Sequence, residues 1–143
     1  MSRFLCDTSC LVAAVCGWHE HHTRTVVELE ERARNGDELV IASHSLVETY
    51  AVLTRLPSPH RLTPATAIAL LEANWRSADV IHLTAEETWR ALRKASRLGV
   101  AGGQCYDAVT ASCAEKAAAS TLVTWNVRHF SRFSNGLRAA GPR

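Results

Sequence analysis

Asp7, Glu48, Asp107 and Asn126 are the residues whose types and placement could carry chemistry. Asp7 closes the apolar run Phe4-Leu5-Cys6, and Glu48 falls in the first turn of the helix expected after Leu39-Val40-Ile41-Ala42. Asp107 falls in the first turn of a helix that follows Gly102-Gly103, and Asn126 follows the run Thr121 to Trp125. Carboxylates gathered at one edge of a sheet repel one another. A hard divalent cation, Mg²⁺ or Mn²⁺, removes that cost, because it takes oxygen ligands and keeps several waters. An ion held this way with open positions suits phosphate chemistry. Each residue taken singly also has a structural role. Asp7 can cap the next helix, and Ser45-Leu46-Val47-Glu48 has the form of a capping box. Asp107 can complement a helix dipole, and Asn126 can sit in a turn.

The elements that must position these residues alternate. Strands are expected over 3–7, 39–42, 79–83 and 121–125, with helices over 9–16, 19–34, 45–56, 64–76, 85–98 and 105–119. Asn35-Gly36 stops one helix, and Pro57 and Pro59 end another. Thr63-Pro64 and Thr84-Ala85-Glu86-Glu87 are helix starts. The strands are apolar throughout, as in a parallel sheet covered on both faces. The fold class is therefore α/β, a sheet between helix layers, and ligands of such sheets bind beyond the carboxyl ends of the strands.

At 143 residues the chain has the size of one domain, expected over 1–143. It is 47% hydrophobic and 21% charged, which excludes a disordered or low-complexity chain, and a net charge of +2 is no evidence for nucleic acid. Five cysteines among apolar residues read as reduced, buried thiols of a cytoplasmic protein. The nine-residue apolar run from Cys10 to Trp18 is too short to span a membrane. Asp7 interrupts the N-terminal stretch that mimics a signal peptide, so export is not expected.

Four segments together resemble a known family. They are Phe4-Leu5-Cys6-Asp7-Thr8-Ser9, Ser45-Leu46-Val47-Glu48, Gly103-Gln104-Cys105-Tyr106-Asp107-Ala108 and Thr124-Trp125-Asn126-Val127-Arg128-His129-Phe130. In order and spacing they are similar to the PIN-domain ribonucleases, and within them to the VapC-type toxins of type II toxin–antitoxin pairs. The resemblance implies a three-layer sandwich around a mostly parallel sheet of four or five short strands. It implies a Mg²⁺- or Mn²⁺-dependent endoribonuclease that hydrolyses RNA through a metal-activated water. Asp7 and Asp107 would be the metal ligands, and Glu48 would orient or deprotonate the water or bind a second ion. Thr124 with Thr8 or Ser9 would hold carboxylates in place. Many relatives carry Asp where this chain has Asn126, which removes one charge. The resemblance further implies a homodimer and a VapB-type antitoxin partner. The alternative is a catalytically weak scaffold of the same fold that binds RNA or a protein. A phosphatase with Asp7 as nucleophile would want a second Asp two residues on, where Ser9 stands, and a receiver domain would want an early acidic pair.

Three further features remain. Arg128, His129 and Arg132 follow Asn126 and are candidates for RNA contact in a tail, Arg128 to Arg143, that has four arginines and no acid. Arg90, Arg93, Lys94 and Arg97 share one helix face, facing solvent, RNA or an antitoxin. Cys16-x-x-His19-x-His21-His22 invites zinc, but no second ligand pair follows at finger-like spacing, so the histidines read as solvated or substrate-facing. Trp18 beside them could form a flap over the acidic pocket. Trp75 and Trp89 read as core or interface.

Overall fold

A computed structural model describes residues 2–133 and 138–142. The strands are β1 (Arg3–Cys6), β2 (Glu38–Ala42), β3 (Asp79–Ile81), β4 (Thr121–Val123) and β5 (Arg138–Ala140). The α-helices are α1 (Thr8–Val15), α2 (His22–Arg34), α3 (Ser43–Arg55), α4 (Pro64–Trp75), α5 (Ala85–Arg97), α6 (Cys105–Lys116) and α7 (Val127–Phe130). The sheet order is β3-β2-β1-β4-β5, and every pairing is parallel.

Alternate strand residues feed opposite layers, as the pleat requires. Leu5, Val40, Ala42 and Leu122 join the core beneath α5, α6 and α7, with Ala111, Phe130 and Phe133. Phe4, Cys6, Ile41 and Val123 join the core beneath α1, α3 and α4, with Leu11, Leu53 and Trp75. This is the three-layer sandwich expected from the apolar strands. All five cysteines are free, and four of them are buried. Among the described residues no helix is long and apolar enough to cross a membrane.

The order of the strands matters for function. From β1 the chain steps outward to β2 and β3, then returns to the other side of β1 as β4. The connections therefore diverge at the β1–β4 seam, where the Asp7 N–H donates to the Val123 carbonyl at 3.2 Å. Open α/β sheets bind ligands in the crevice at such a switch point.

Five strands fall within the four or five that the resemblance implies; the residues alone do not mark β5, because Arg138-Ala139-Ala140 has no strand-forming side chains and gains its form from pairing with β4. One expectation needs correction. Ser45-Leu46-Val47-Glu48 is not a capping box. Strand β2 runs straight into α3 with Ala42 as the extended cap residue, so the helix begins two residues before Ser45. The Ser45 hydroxyl is buried without a hydrogen-bond partner, and Glu48 sits in the second turn.

The box at Thr84 does form. Glu87 N–H donates to Thr84 Oγ1 at 3.1 Å, Thr84 N–H donates to Glu87 Oε1 at 2.8 Å, and Lys116 Nζ lies 2.7 Å from the same Glu87 oxygen. The Lys116 ammonium and the Thr84 N–H hold the Glu87 carboxyl down at about 2. A carboxyl depressed on folding adds stability that is present above its ordinary value and lost as pH falls toward the folded one. Glu87→Gln should therefore lower the melting temperature slightly at pH 7, with the difference closing between pH 4.5 and about 2, as measured by circular dichroism.

Candidate active site

Asp7 follows β1 and caps α1. Its Oδ1 accepts from the Cys10 N–H at 3.1 Å and from Ser9 Oγ at 2.6 Å, and its Oδ2 accepts from Thr124 Oγ1 at 2.5 Å. Ser9 Oγ in turn accepts from the Trp125 N–H at 3.0 Å, and Thr124 Oγ1 from the Asn126 N–H at 2.9 Å. The segment after β1 is thus laced to the segment after β4. The structural and functional readings of Asp7 coincide, because the geometry that caps α1 also fixes the carboxylate at the seam.

The sequence paired Thr8 with Ser9 as alternative holders of a carboxylate, and the structure divides them. Ser9 and Thr124 hold Asp7, while Thr8 lies beside Glu48 and favours its charged form. Asp107 arrives from the opposite layer. Gly102, at φ +61°, adopts a left-handed conformation that a side chain would strain, and the tight turn Gly102–Gln104 delivers Asp107 as the third residue of α6.

Asp7, Glu48, Asp107 and Asn126 line one cavity of about 480 Å³, together with Thr8, Ser9, His19, Glu20, His21, Thr110 and Trp125. All four residues singled out from the sequence therefore meet in one place. Among the described residues four carboxylates line this space, and no lysine or arginine does. Two imidazoles approach the carboxylates, and the charge of Arg55 acts on Glu48 from outside the lining. His129 Nδ1 lies 3.6 Å from Asp107 Oδ2, and His44 Nε2 lies 3.7 Å from Glu48 Oε1. Burial holds His44 below the ordinary imidazole value, against the Tyr106 backbone hydrogen bond.

The carboxyls respond as crowded, half-dry groups do. Burial pushes Asp7 up against the opposing hydrogen bonds from Ser9, Thr124 and Cys10. Burial also raises Glu48, against the Thr8 hydroxyl. Asp107 is pushed up to about 6, first by burial and then by repulsion from Asp7 and Glu48, with His129 pulling the other way. An excess of oxygen donors and negative charge in one crevice is what a hard divalent cation would relieve, so the donor set fits Mg²⁺ or Mn²⁺. Among the described residues no three His, Cys, Asp or Glu side chains already converge on a single point.

The family model described as PIN domain matches residues 4–135. The chain belongs to the PIN-domain family. It is 41% identical over 122 residues to the protein named Ribonuclease VapC40 of Mycobacterium tuberculosis, 85% of each chain being covered. Its fold superposes on Mycobacterium tuberculosis VapC20, described as a Sarcin-Ricin loop cleaving toxin, with a TM-score of 0.73 at 17% identity, covering 94% of this chain and 98% of that one. It also superposes on VapBC2 of Rickettsia felis bound to a promoter DNA fragment, with a TM-score of 0.71 at 22% identity, covering 97% and 98%.

Sequence reading of this PIN domain missed three groups at the site. Thr110 lies one helical turn after Asp107, and its hydroxyl meets His44 Nε2 at 2.9 Å. The i, i+3 spacing from Asp107 was the available signal. His44 had no signal, since only the packing of α3 against α6 brings it there. Glu20 was passed over as part of a histidine run. Other placements differ from expectation. Trp18 does not cover the acidic cavity. It lies in the neighbouring groove and stacks on His60 at 4.2 Å. Cys16 is buried in the core, away from any zinc-like cluster among the described residues. Trp75 is buried, but Trp89 is 60% exposed. On α5, Arg93 pairs with Glu86 and Lys94 with Glu115, and neither those residues nor Arg90 and Arg97 line the cavity. Arg128 and Arg132 are exposed on the segment after Asn126 and do not line the cavity. Arg143 lies outside the described residues.

Proposed function

We propose that this PIN domain is a divalent-metal-dependent endoribonuclease, the toxin of a type II toxin–antitoxin pair. The observation that carries the reading is the cavity at the sheet's switch point, which Asp7, Glu20, Glu48 and Asp107 line and which, among the described residues, no lysine or arginine lines. The identity to Ribonuclease VapC40 supports RNA as the substrate class. Asp7 and Asp107 would hold Mg²⁺ or Mn²⁺, and a bound ion would offset charge on the phosphate and make a water more acidic. Ser9 and Thr124 fix both oxygens of Asp7 and so keep it aimed at the cavity. Glu48, with its proton affinity raised by burial, is placed to orient the attacking water and accept its proton. Arg128, His129 and Arg132 would meet the RNA backbone on the rim.

The partners follow from a second surface. Leu46, Val47, Tyr50, Ile68 and Trp75 line an apolar groove of about 420 Å³ between α3 and α4, where Val47 is 70% exposed. We assign this groove to protein contact, either with a second copy or with the VapB-type antitoxin, and place the pair in the cytoplasm with its RNA.

Labelled RNA incubated with the purified chain should be cut with Mg²⁺ or Mn²⁺, spared in EDTA, and cut again when the ion is restored. Cleavage that persists in EDTA would overturn the metal assignment. Asn126 supplies a finer check. It lines the cavity with an uncharged amide, so Asn126→Asp should add a ligand charge and enlarge the Mg²⁺-induced rise in melting temperature. Asn126→Ala should reduce cleavage only partly. Metal binding indifferent to both changes in calorimetry would leave Asn126 as a turn residue.

A further inference from the structure

Beside the acidic cavity runs a strip of flat side chains that the carboxylate chemistry does not use. Trp18 stacks on His60 with ring centroids 4.2 Å apart and planes 23° from parallel. His21 stacks on Trp125 at 3.8 Å and 11°. His19 lies between the two pairs, 5.9 Å from Trp18 and 5.6 Å from His21. The strip is built into the fold. The Thr25 hydroxyl, itself buried, donates to the His21 carbonyl at 2.7 Å and accepts from Trp125 Nε1 at 2.8 Å. The His21 N–H donates to His19 Nδ1 at 3.1 Å.

One end of the strip opens into the acidic cavity, which His19, His21 and Trp125 line. The other end is open to solvent, with Trp18 49% exposed and His60 exposed. Among the described residues no lysine or arginine lines the cavity, so apart from the ion proposed above the lining offers the RNA no cationic hold. Flat rings gain a hold on bases, because every base has a π-face and stacking tolerates sequence. Arg24, with its guanidinium carbon 5.9 Å from the Trp125 ring, adds a positive charge beside that end.

We propose that this strip is a base-stacking track that holds unpaired nucleotides of the substrate on one side of the scissile phosphate. The inference rests on the ribonuclease reading above and names how that site grips RNA. Trp18 and His60 are positioning residues at its outer end, and His21 with Trp125 forms the inner end.

The test uses the full chain, a short RNA that the wild type cuts with Mg²⁺, and the variants Trp18→Ala and His60→Ala, which change exposed side chains. Trp18→Ala should raise KM about tenfold, as expected for the loss of one stacked base, with kcat within about twofold. Removing the base from single nucleotides flanking the cut should raise the wild-type KM at one or two positions on one side. The abasic position farthest from the cut should cost Trp18→Ala nothing further, while a position held at the inner end should still cost it. A KM unchanged in both variants would overturn the track while leaving the ribonuclease reading intact. Penalties equal at every abasic position in wild type and Trp18→Ala would do the same. A Trp18→Ala enzyme with normal KM that its co-expressed antitoxin no longer neutralises would make the strip a protein-docking surface instead. RNA left uncut by wild type under every divalent ion would overturn the ribonuclease reading itself and the track with it.

Discussion

Asp107→Asn is expected to lower RNA cleavage by more than about a hundredfold, since losing even an outer partner of a metal ligand costs 10–100-fold. The same change should leave the metal-free protein at least as stable as wild type. Asp107 is half-buried, raised to about 6, and repelled by Asp7 and Glu48. Above that pH the folded wild type carries a charge it would rather not hold, and an amide of the same shape removes it. Relief of about 1–2 kcal/mol would raise the melting temperature by about 2–6 °C for a chain of this size. The measurement is thermal unfolding in EDTA at pH 8, beside single-turnover cleavage in Mg²⁺. A large fall in melting temperature would show that Asp107 serves the N-terminus of α6 rather than a cation. Full cleavage by the variant would remove Asp107 from the site.

Asp7→Ala should abolish the growth arrest that we expect when the chain is expressed without its antitoxin, and the purified variant should cut no RNA. Its effect on stability has a different origin from that of Asp107. Asp7 accepts from the Cys10 N–H and from two hydroxyls, Ser9 and Thr124, so alanine deletes a helix cap and strands donors at the β1–β4 seam. Asp7→Asn removes the charge but keeps a side-chain oxygen that can take the cap bond. Both variants should lose activity alike, and Asp7→Ala should melt below Asp7→Asn by about 2–4 °C, matching a cap worth about 1 kcal/mol. Arrest by a folded Asp7→Ala protein would end the metal-hydrolysis reading. Equal melting of the two variants would mean that the cap bond carries no stability.

What the sequence by itself determined was the alternation of elements, the apolar strands that require cover on both faces, and the four polar residues that meet in the cavity. These are local properties. An apolar run of four or five residues, a Thr-Pro helix start or a Gly-Gly turn acts over a few residues and is written there in full. Asp7 and Asp107 were legible because each stands at the boundary of an element, and in a parallel sheet boundaries at the carboxyl ends converge. The tertiary structure alone decided the rest. The strand order β3-β2-β1-β4-β5 puts the β1–β4 seam at the switch point, and no short stretch of sequence encodes which strands become neighbours. Strand β5 exists only through its pairing with β4. The start of α3 was misplaced because the strand-to-helix step at Ala42 needs no capping side chain. Ser9 and Thr8 looked interchangeable, yet consecutive residues at a helix start face different neighbours, and only packing assigns one to Asp7 and the other to Glu48. The stacked pairs Trp18–His60 and His21–Trp125 join residues 42 and 104 positions apart in the chain. Contacts across such distances are set by which helices the sheet brings together, which is why a run that read as a histidine cluster became, in three dimensions, an aromatic rim on the acidic cavity.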